Sequence, residues 1–148
     1  MRRALQLAYV DTSAYVKRFA QEPGSRELGR RTRGVRLVSS VLLWPESMSA
    51  IARKLRDGDL TDRMASRLRS GISEDLDRIL LVRTGPGVLS EAERLVFARS
   101  LRASDAVHLG SALRVSSGRN GPLAFLTADH ELADAATQEG LAVETFGD

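Results

Sequence analysis

With 148 residues, 43% of them hydrophobic and 28% charged, the chain has the size and mixture of an ordinary globular domain, which excludes a disordered polyelectrolyte and a fibrous repeat. It has no cysteine, so neither disulfides nor a thiolate zinc site can hold it together. The formal net charge is +3, and Lys17 and Lys54 are the only lysines among the 22 basic side chains; the planar fork of arginine suits phosphate, but an arginine-biased genome gives the same excess, so charge alone does not choose a partner.

The first residues, MRRALQLAYVD, carry arginines before an apolar run. The run is too short for a signal peptide and meets an acid at Asp11, so it reads as a buried strand, Leu5–Val10. A second strand is expected at Val35–Val38. Trp44–Arg56 places Met48, Ile51, Ala52 and Leu55 at i, i+3, i+4 and i+7, and Leu60–Leu76 steps by four through Leu60, Met64, Leu68, Ile72 and Leu76. Both periods are helical. Asp57-Gly58-Asp59 between them is a turn in which Gly58 can take the left-handed conformation, with Thr61 or Asp59 to cap the second helix.

A third strand falls at Ile79–Val82. Helical patterning then runs from about Leu89, opened by Ser90-Glu91, to Ser116, with a break or bend near Arg102–Ser104. The polar stretch Ser116–Pro122 ends it. Strands at Leu123–Leu126 and Leu141–Val143 flank a helix at His130–Glu139. Parallel strands need crossovers of a dozen or more residues, and these strands alternate with helices. The expected fold is therefore a three-layer α/β/α sandwich with a central, mostly parallel sheet, formed by residues 1–148 as one domain. No apolar run reaches about 18 residues, so no spanning helix is expected and the protein reads as soluble and cytoplasmic.

Four acids fall at related places on this frame. Asp11 directly follows the first strand, and Asp129 follows the fourth after Thr127 and Ala128. Glu46 lies in the first turn of the helix beyond Val35–Val38. The carboxyl edge of an open α/β sheet is where ligands bind. Asp105 stands among Ala106, Val107, Leu109, Ala112 and Leu113, where a carboxylate is costly unless partnered. Each has a bland role: Asp11 and Asp129 as N-caps, Glu46 against a helix dipole, Asp105 as the i+3 ion-pair partner of Arg102. Taken together, four acids at matching ends repel one another unless a cation lies between them.

An all-oxygen donor set points to Mg²⁺ or Mn²⁺ rather than zinc. His108, one turn after Asp105 on an apolar face, reads as a hydrogen-bonded core residue, and His130 as an exposed neighbour of Asp129. A carboxylate-held Mg²⁺ suits phosphodiester hydrolysis, since it activates water, orients the phosphate and neutralises charge on the leaving oxygen.

The segments YVDTSAYVKRF (Tyr9–Phe19), EPGS (Glu22–Ser25), VLLWPESMSAIAR (Val41–Arg53), LRASDAVHLGSAL (Leu101–Leu113) and FLTADHELADAA (Phe125–Ala136) resemble, in order and spacing, the PIN domain of the VapC-type toxins of bacterial toxin-antitoxin pairs. The resemblance implies a homodimeric, Mg²⁺- or Mn²⁺-dependent endoribonuclease whose motif acids fall on Asp11, Glu46, Asp105 and Asp129. It implies that Ser13 and Thr127 match small hydroxyl positions near the metal, that arginines such as Arg102 hold the RNA backbone, and that an antitoxin protein blocks the acidic crevice. The apolar surface of Leu60–Leu76 would also be covered in a homodimer. Three rivals remain. A haloacid-dehalogenase-type phosphatase wants a second acid where Ser13 stands and a later lysine. A receiver domain wants adjacent acids after the first strand. A non-catalytic nucleic-acid or partner-binding module would keep the cluster for structure and bind metal without cleavage.

Overall fold

The computed structural model describes residues 6–147. The strands are β1 (Leu7–Val10), β2 (Arg36–Ser40), β3 (Leu80–Val82), β4 (Ala124–Thr127) and β5 (Ala142–Thr145). All five were expected, with ends displaced by a residue or two; Leu5, the expected start of the first, lies outside the described residues. They form one sheet in the order β3-β2-β1-β4-β5, with every neighbouring pair parallel. The chain builds outward from β1 through β2 to β3, then returns to build the other half. The strand order therefore reverses between β1 and β4, which opens a crevice at their carboxyl ends.

Helices cover both faces, as the expected three-layer sandwich requires. Successive side chains on a strand point to opposite faces, and the core divides accordingly. Ala8 and Val10 of β1 pack on one face with residues of α1 (Thr12–Tyr15), α2 (Ser25–Thr32), α3 (Leu43–Arg56) and α4 (Asp62–Leu76). Tyr9 of β1 packs on the other face with residues of α5 (Pro86–Arg99), α6 (Ala103–Ser116) and α7 (His130–Gln138).

Several details correct the expectations drawn from the sequence. α1, the 3-10 turn Val16–Phe19 behind it, and α2 carry too few apolar positions to show a helical period; α2 buries only Leu28 and Thr32. Its entry needs glycine, because Gly24 has φ +88° and a Cβ there would meet the Gly147 nitrogen at 2.5 Å. α5 opens at Gly85-Pro86 rather than Ser90-Glu91, proline being preorganised for the first helical position. The expected bend lies at Ser100–Arg102, where Ser100 takes φ 55°. Gly58 is left-handed at φ 81° and Thr61 Oγ1 accepts the Met64 N–H at 3.2 Å, both as expected. The apolar series of α4 turns largely into this chain's own core, with Ala65, Ile72 and Leu76 buried and Met64 exposed. The larger exposed apolar side chains lie elsewhere, Leu89 and Phe97 of α5 being 52% and 84% exposed.

Candidate metal centre

Asp11 is the first residue after β1, and its N–H still bonds to the Leu126 carbonyl of β4 at 3.1 Å, so the sheet fixes its backbone at the switch point. Its side chain is 3% exposed. Oδ1 accepts the Ala14 N–H at 2.9 Å, which caps α1. Ser13 Oγ donates to the carboxylate from 2.8 Å to either oxygen, and Thr127 Oγ1 donates to Oδ2 at 2.7 Å. The same hydroxyls accept N–H groups of the β4 end, Ser13 from Ala128 at 2.9 Å and Thr127 from Asp129 at 3.0 Å. Ser13 and Thr127 thus bind Asp11 to the neighbouring strand end. Burial pushes the Asp11 carboxyl up, and the hydrogen bonds from Thr127, Ala14 and Ser13 pull the other way.

Asp129 N-caps α7, its Oδ1 accepting the Leu132 N–H at 3.0 Å. Glu46 stands in the first turn of α3, and its Oε1 accepts Thr12 Oγ1 at 2.9 Å and His108 Nε2 at 2.6 Å. Burial alone would raise its pKa, but the bond and charge of His108 and the bond from Thr12 hold it below the ordinary range. Asp105 stands in the first turn of α6 with no hydrogen-bond donor among the described residues. Burial raises it first, then the charges of Asp129 and Asp11, then that of Glu46. The acids thus lie near enough to repel one another at Asp105, and His108 offsets part of that repulsion.

All four line a single cleft of about 310 Å³, together with Thr12, Ser13, Ser49, Arg53 and His108. Among the described residues, no three His, Asp or Glu side chains are drawn together tightly enough to close on an ion. Shared cleft and open ring are compatible, because carboxylate repulsion works against a closed cage. The donor chemistry fits Mg²⁺ or Mn²⁺: every candidate ligand is an oxygen, and Glu46 Oε2 and both Asp105 oxygens carry no hydrogen bond among the described residues.

The ion pair of Arg102 with Asp105 is absent. Arg102 is exposed, does not figure among the charges acting on Asp105, and as the N-cap has φ −69° and ψ 157°, outside the helical geometry that an i+3 pair needs. His108 is 2% exposed, as a core residue should be, but it also reaches Glu46, a contact that sequence reasoning missed. Arg53 was missed as well. It lies two turns after Glu46 on the same face of α3, exposed at the rim of the cleft, and the i+7 spacing was the available signal.

Comparison with known proteins gives a consistent picture. The PIN domain family model matches residues 8–138, a span that contains all four acids. Ribonuclease VapC46 of Mycobacterium tuberculosis is 37% identical over 139 residues, covering 91% of this chain and 94% of that protein. Ribonuclease VapC49 of the same organism is 34% identical over 112 residues, covering 75% and 78%. Among solved structures, VapBC2 from Rickettsia felis bound to a DNA fragment from their promoter aligns with TM-score 0.65 at 11% identity, covering 95% of this chain and 99% of that one. VapBC-5 from Mycobacterium tuberculosis aligns with TM-score 0.57 at 14% identity, covering 96% and 98%. At such identities the structural likeness is one of fold.

Proposed function

The chain belongs to the PIN-domain family, and on that footing we propose that it is the endoribonuclease toxin of a toxin-antitoxin pair, hydrolysing RNA phosphodiester bonds with Mg²⁺ or Mn²⁺ held by Asp11, Glu46, Asp105 and Asp129. The observation that carries this reading is the meeting of four acids from four separate elements in one cleft at the switch point of the sheet. Ribonuclease relatives above 30% identity support the substrate class.

A divalent cation bound there supplies a Lewis acid that lowers the pKa of a water and offsets charge on the phosphate. Asp11, immobilised by Ser13, Thr127 and the Ala14 amide, offers a rigid ligand. Asp105 offers a bare one, and Glu46 offers Oε2 while its Oε1 is engaged. Asp129 completes the set or accepts the proton of the attacking water. Arg53 at the rim takes non-bridging oxygens of the RNA backbone, where the arginine fork gives paired donors. Arg102, exposed at the start of α6, is a second backbone contact and makes binding salt-sensitive.

An antitoxin protein blocks the same acidic cleft by charge complementarity; proteins of the same fold are found in VapBC pairs. A second copy of the chain covers the exposed Leu89 and Phe97 of α5, giving a homodimer. No helix among the described residues is long and apolar enough to cross a membrane. Purified protein should cut RNA in Mg²⁺ or Mn²⁺, stop in EDTA and recover when Mn²⁺ is restored. Cleavage undiminished by chelator would overturn the metal part, and metal binding without cleavage of any RNA would overturn the enzymatic part.

A further inference from the structure

His108 joins the core to the cleft. Its Nε2 lies 2.6 Å from Glu46 Oε1 and its Nδ1 2.9 Å from the Tyr9 hydroxyl. Tyr9 is wholly buried on the central strand. Its ring is stacked on Phe125 with centroids 5.4 Å apart and planes 5° from parallel, and it meets the imidazole edge-on at 6.0 Å. Tyrosine and imidazole are therefore held by packing as well as by their hydrogen bond.

The direction of these bonds follows from what each group can donate. The Tyr9 phenol is an O–H donor at neutral pH, and it lies 2.9 Å from Nδ1, to which it gives its hydrogen. A neutral imidazole that accepts at Nδ1 carries its hydrogen on Nε2, which faces Glu46, and a protonated one donates from Nε2 to Glu46 as well. The opposite tautomer would set the Nε2 lone pair against a carboxylate oxygen at 2.6 Å, two acceptors in contact. Thr12 Oγ1 approaches the same Oε1 at 2.9 Å, so both donors converge on one oxygen of Glu46.

We infer that His108 is a positioning residue for Glu46, and that Tyr9 fixes the imidazole tautomer that lets it act. Anchoring Oε1 removes the rotational freedom of a flexible side chain before any ligand arrives and leaves Oε2 for the cation. Hydrogen-bonding partners behind a ligating group change metal affinity by about 10–100-fold when removed. This inference rests on the metal-site reading above.

The test titrates Mn²⁺ alone into metal-free wild type, His108→Leu, His108→Gln and Tyr9→Phe by calorimetry, with the melting temperature of each recorded. The imidazole tautomer of ¹⁵N-labelled wild type and Tyr9→Phe is read by NMR. Wild type should show the Nε2–H tautomer. His108→Leu should bind Mn²⁺ about 10–100-fold more weakly, His108→Gln should recover most of that loss through its terminal amide donor, and Tyr9→Phe should show mixed tautomers and an intermediate loss. An Nδ1–H tautomer in wild type overturns the inference, as does wild-type affinity in folded His108→Leu. Equal weakness of the Leu and Gln variants marks a packing role and overturns it too. If His108→Leu fails to fold, the Gln and Phe variants and the tautomer decide. Wild type that binds no Mn²⁺ sinks the metal site and this inference together, whereas wild type that binds beside an equally tight Leu variant sinks the inference alone.

Discussion

Asp11 at the β1–β4 corner and Asp105 at the start of α6 line the same cleft but are built into the fold in opposite ways. Asp11 is almost wholly buried and receives hydrogens from Ser13, Thr127 and the Ala14 amide. Asp105 is partly buried and receives none among the described residues. Burial raises both carboxyls, but for Asp105 the charges of Asp129, Asp11 and Glu46 add to it, while the hydrogen bonds of Asp11 offset it. A carboxylate surrounded by donors is part of the scaffold whatever else it does. One left bare among other acids gains no hydrogen bond from the fold among the described residues, which is the arrangement the proposed cation site calls for.

The largest effect should come from the scaffolding acid. Asp11→Ala leaves two hydroxyls and an amide without their acceptor and removes the cap of α1, and a buried group stranded in this way costs about 1–3 kcal/mol. Urea unfolding in chelator should show a loss of about 3 kcal/mol or more, alongside loss of cleavage. A loss under about 1 kcal/mol would dissolve the contrast between the two acids.

Asp105→Asn should abolish cleavage while leaving the metal-free protein at least as stable as wild type, because it relieves repulsion and breaks no hydrogen bond. A drop of about 3–5 kcal/mol would instead mark a buried ion-pair partner. The pH profile sharpens the same point. A carboxyl raised in the folded chain holds a proton that the unfolded chain releases near about pH 3.9, so metal-free stability should fall as pH rises above about 4 and level off beyond the raised value. Glu46 is held low and works in reverse, its contribution fading as pH falls through its folded value. Asp105→Asn should make the first slope shallower, leaving the part that Asp11 contributes, and leave the second, which unfolding curves across pH would read; an unchanged profile would deny that Asp105 is raised by its neighbours.

The smallest effect belongs to Arg102. With no ion pair to Asp105, Arg102→Ala should change stability by no more than about 0.5 kcal/mol while weakening RNA binding and reducing its salt dependence. A large destabilisation would restore the ion pair.

The sheet was legible because buried parallel strands read as short apolar runs, and the acids were legible because three of the four follow a strand. The short α1 and α2 were hidden, since a single turn has no period and α2 buries one apolar side chain amid arginines. Capping and a place at the ligand edge looked like alternatives in the sequence; Asp11 and Asp129 both cap a helix and line the cleft, because a strand end feeding a helix puts the N-cap at the carboxyl edge of the sheet. The Arg102–Asp105 pair failed because helical spacing was applied to a residue that stands outside the helix. His108 was read correctly as core, but only three dimensions bring Glu46 to its other nitrogen. The ribonuclease class came from the resemblance of whole motifs, which spacing arguments on single acids could not supply.

The most direct test of a shared cation site is a melting series of wild type and Asp105→Asn across Mg²⁺ concentrations at fixed ionic strength. A ligand bound only by the native state stabilises by mass action, about 2.7 kcal/mol at roughly a hundred times its dissociation constant. Wild type should therefore melt progressively higher as Mg²⁺ rises, and Asp105→Asn should start no lower and gain much less. Equal gains in the two proteins, with the variant starting far below wild type, would contradict a site built from the four acids.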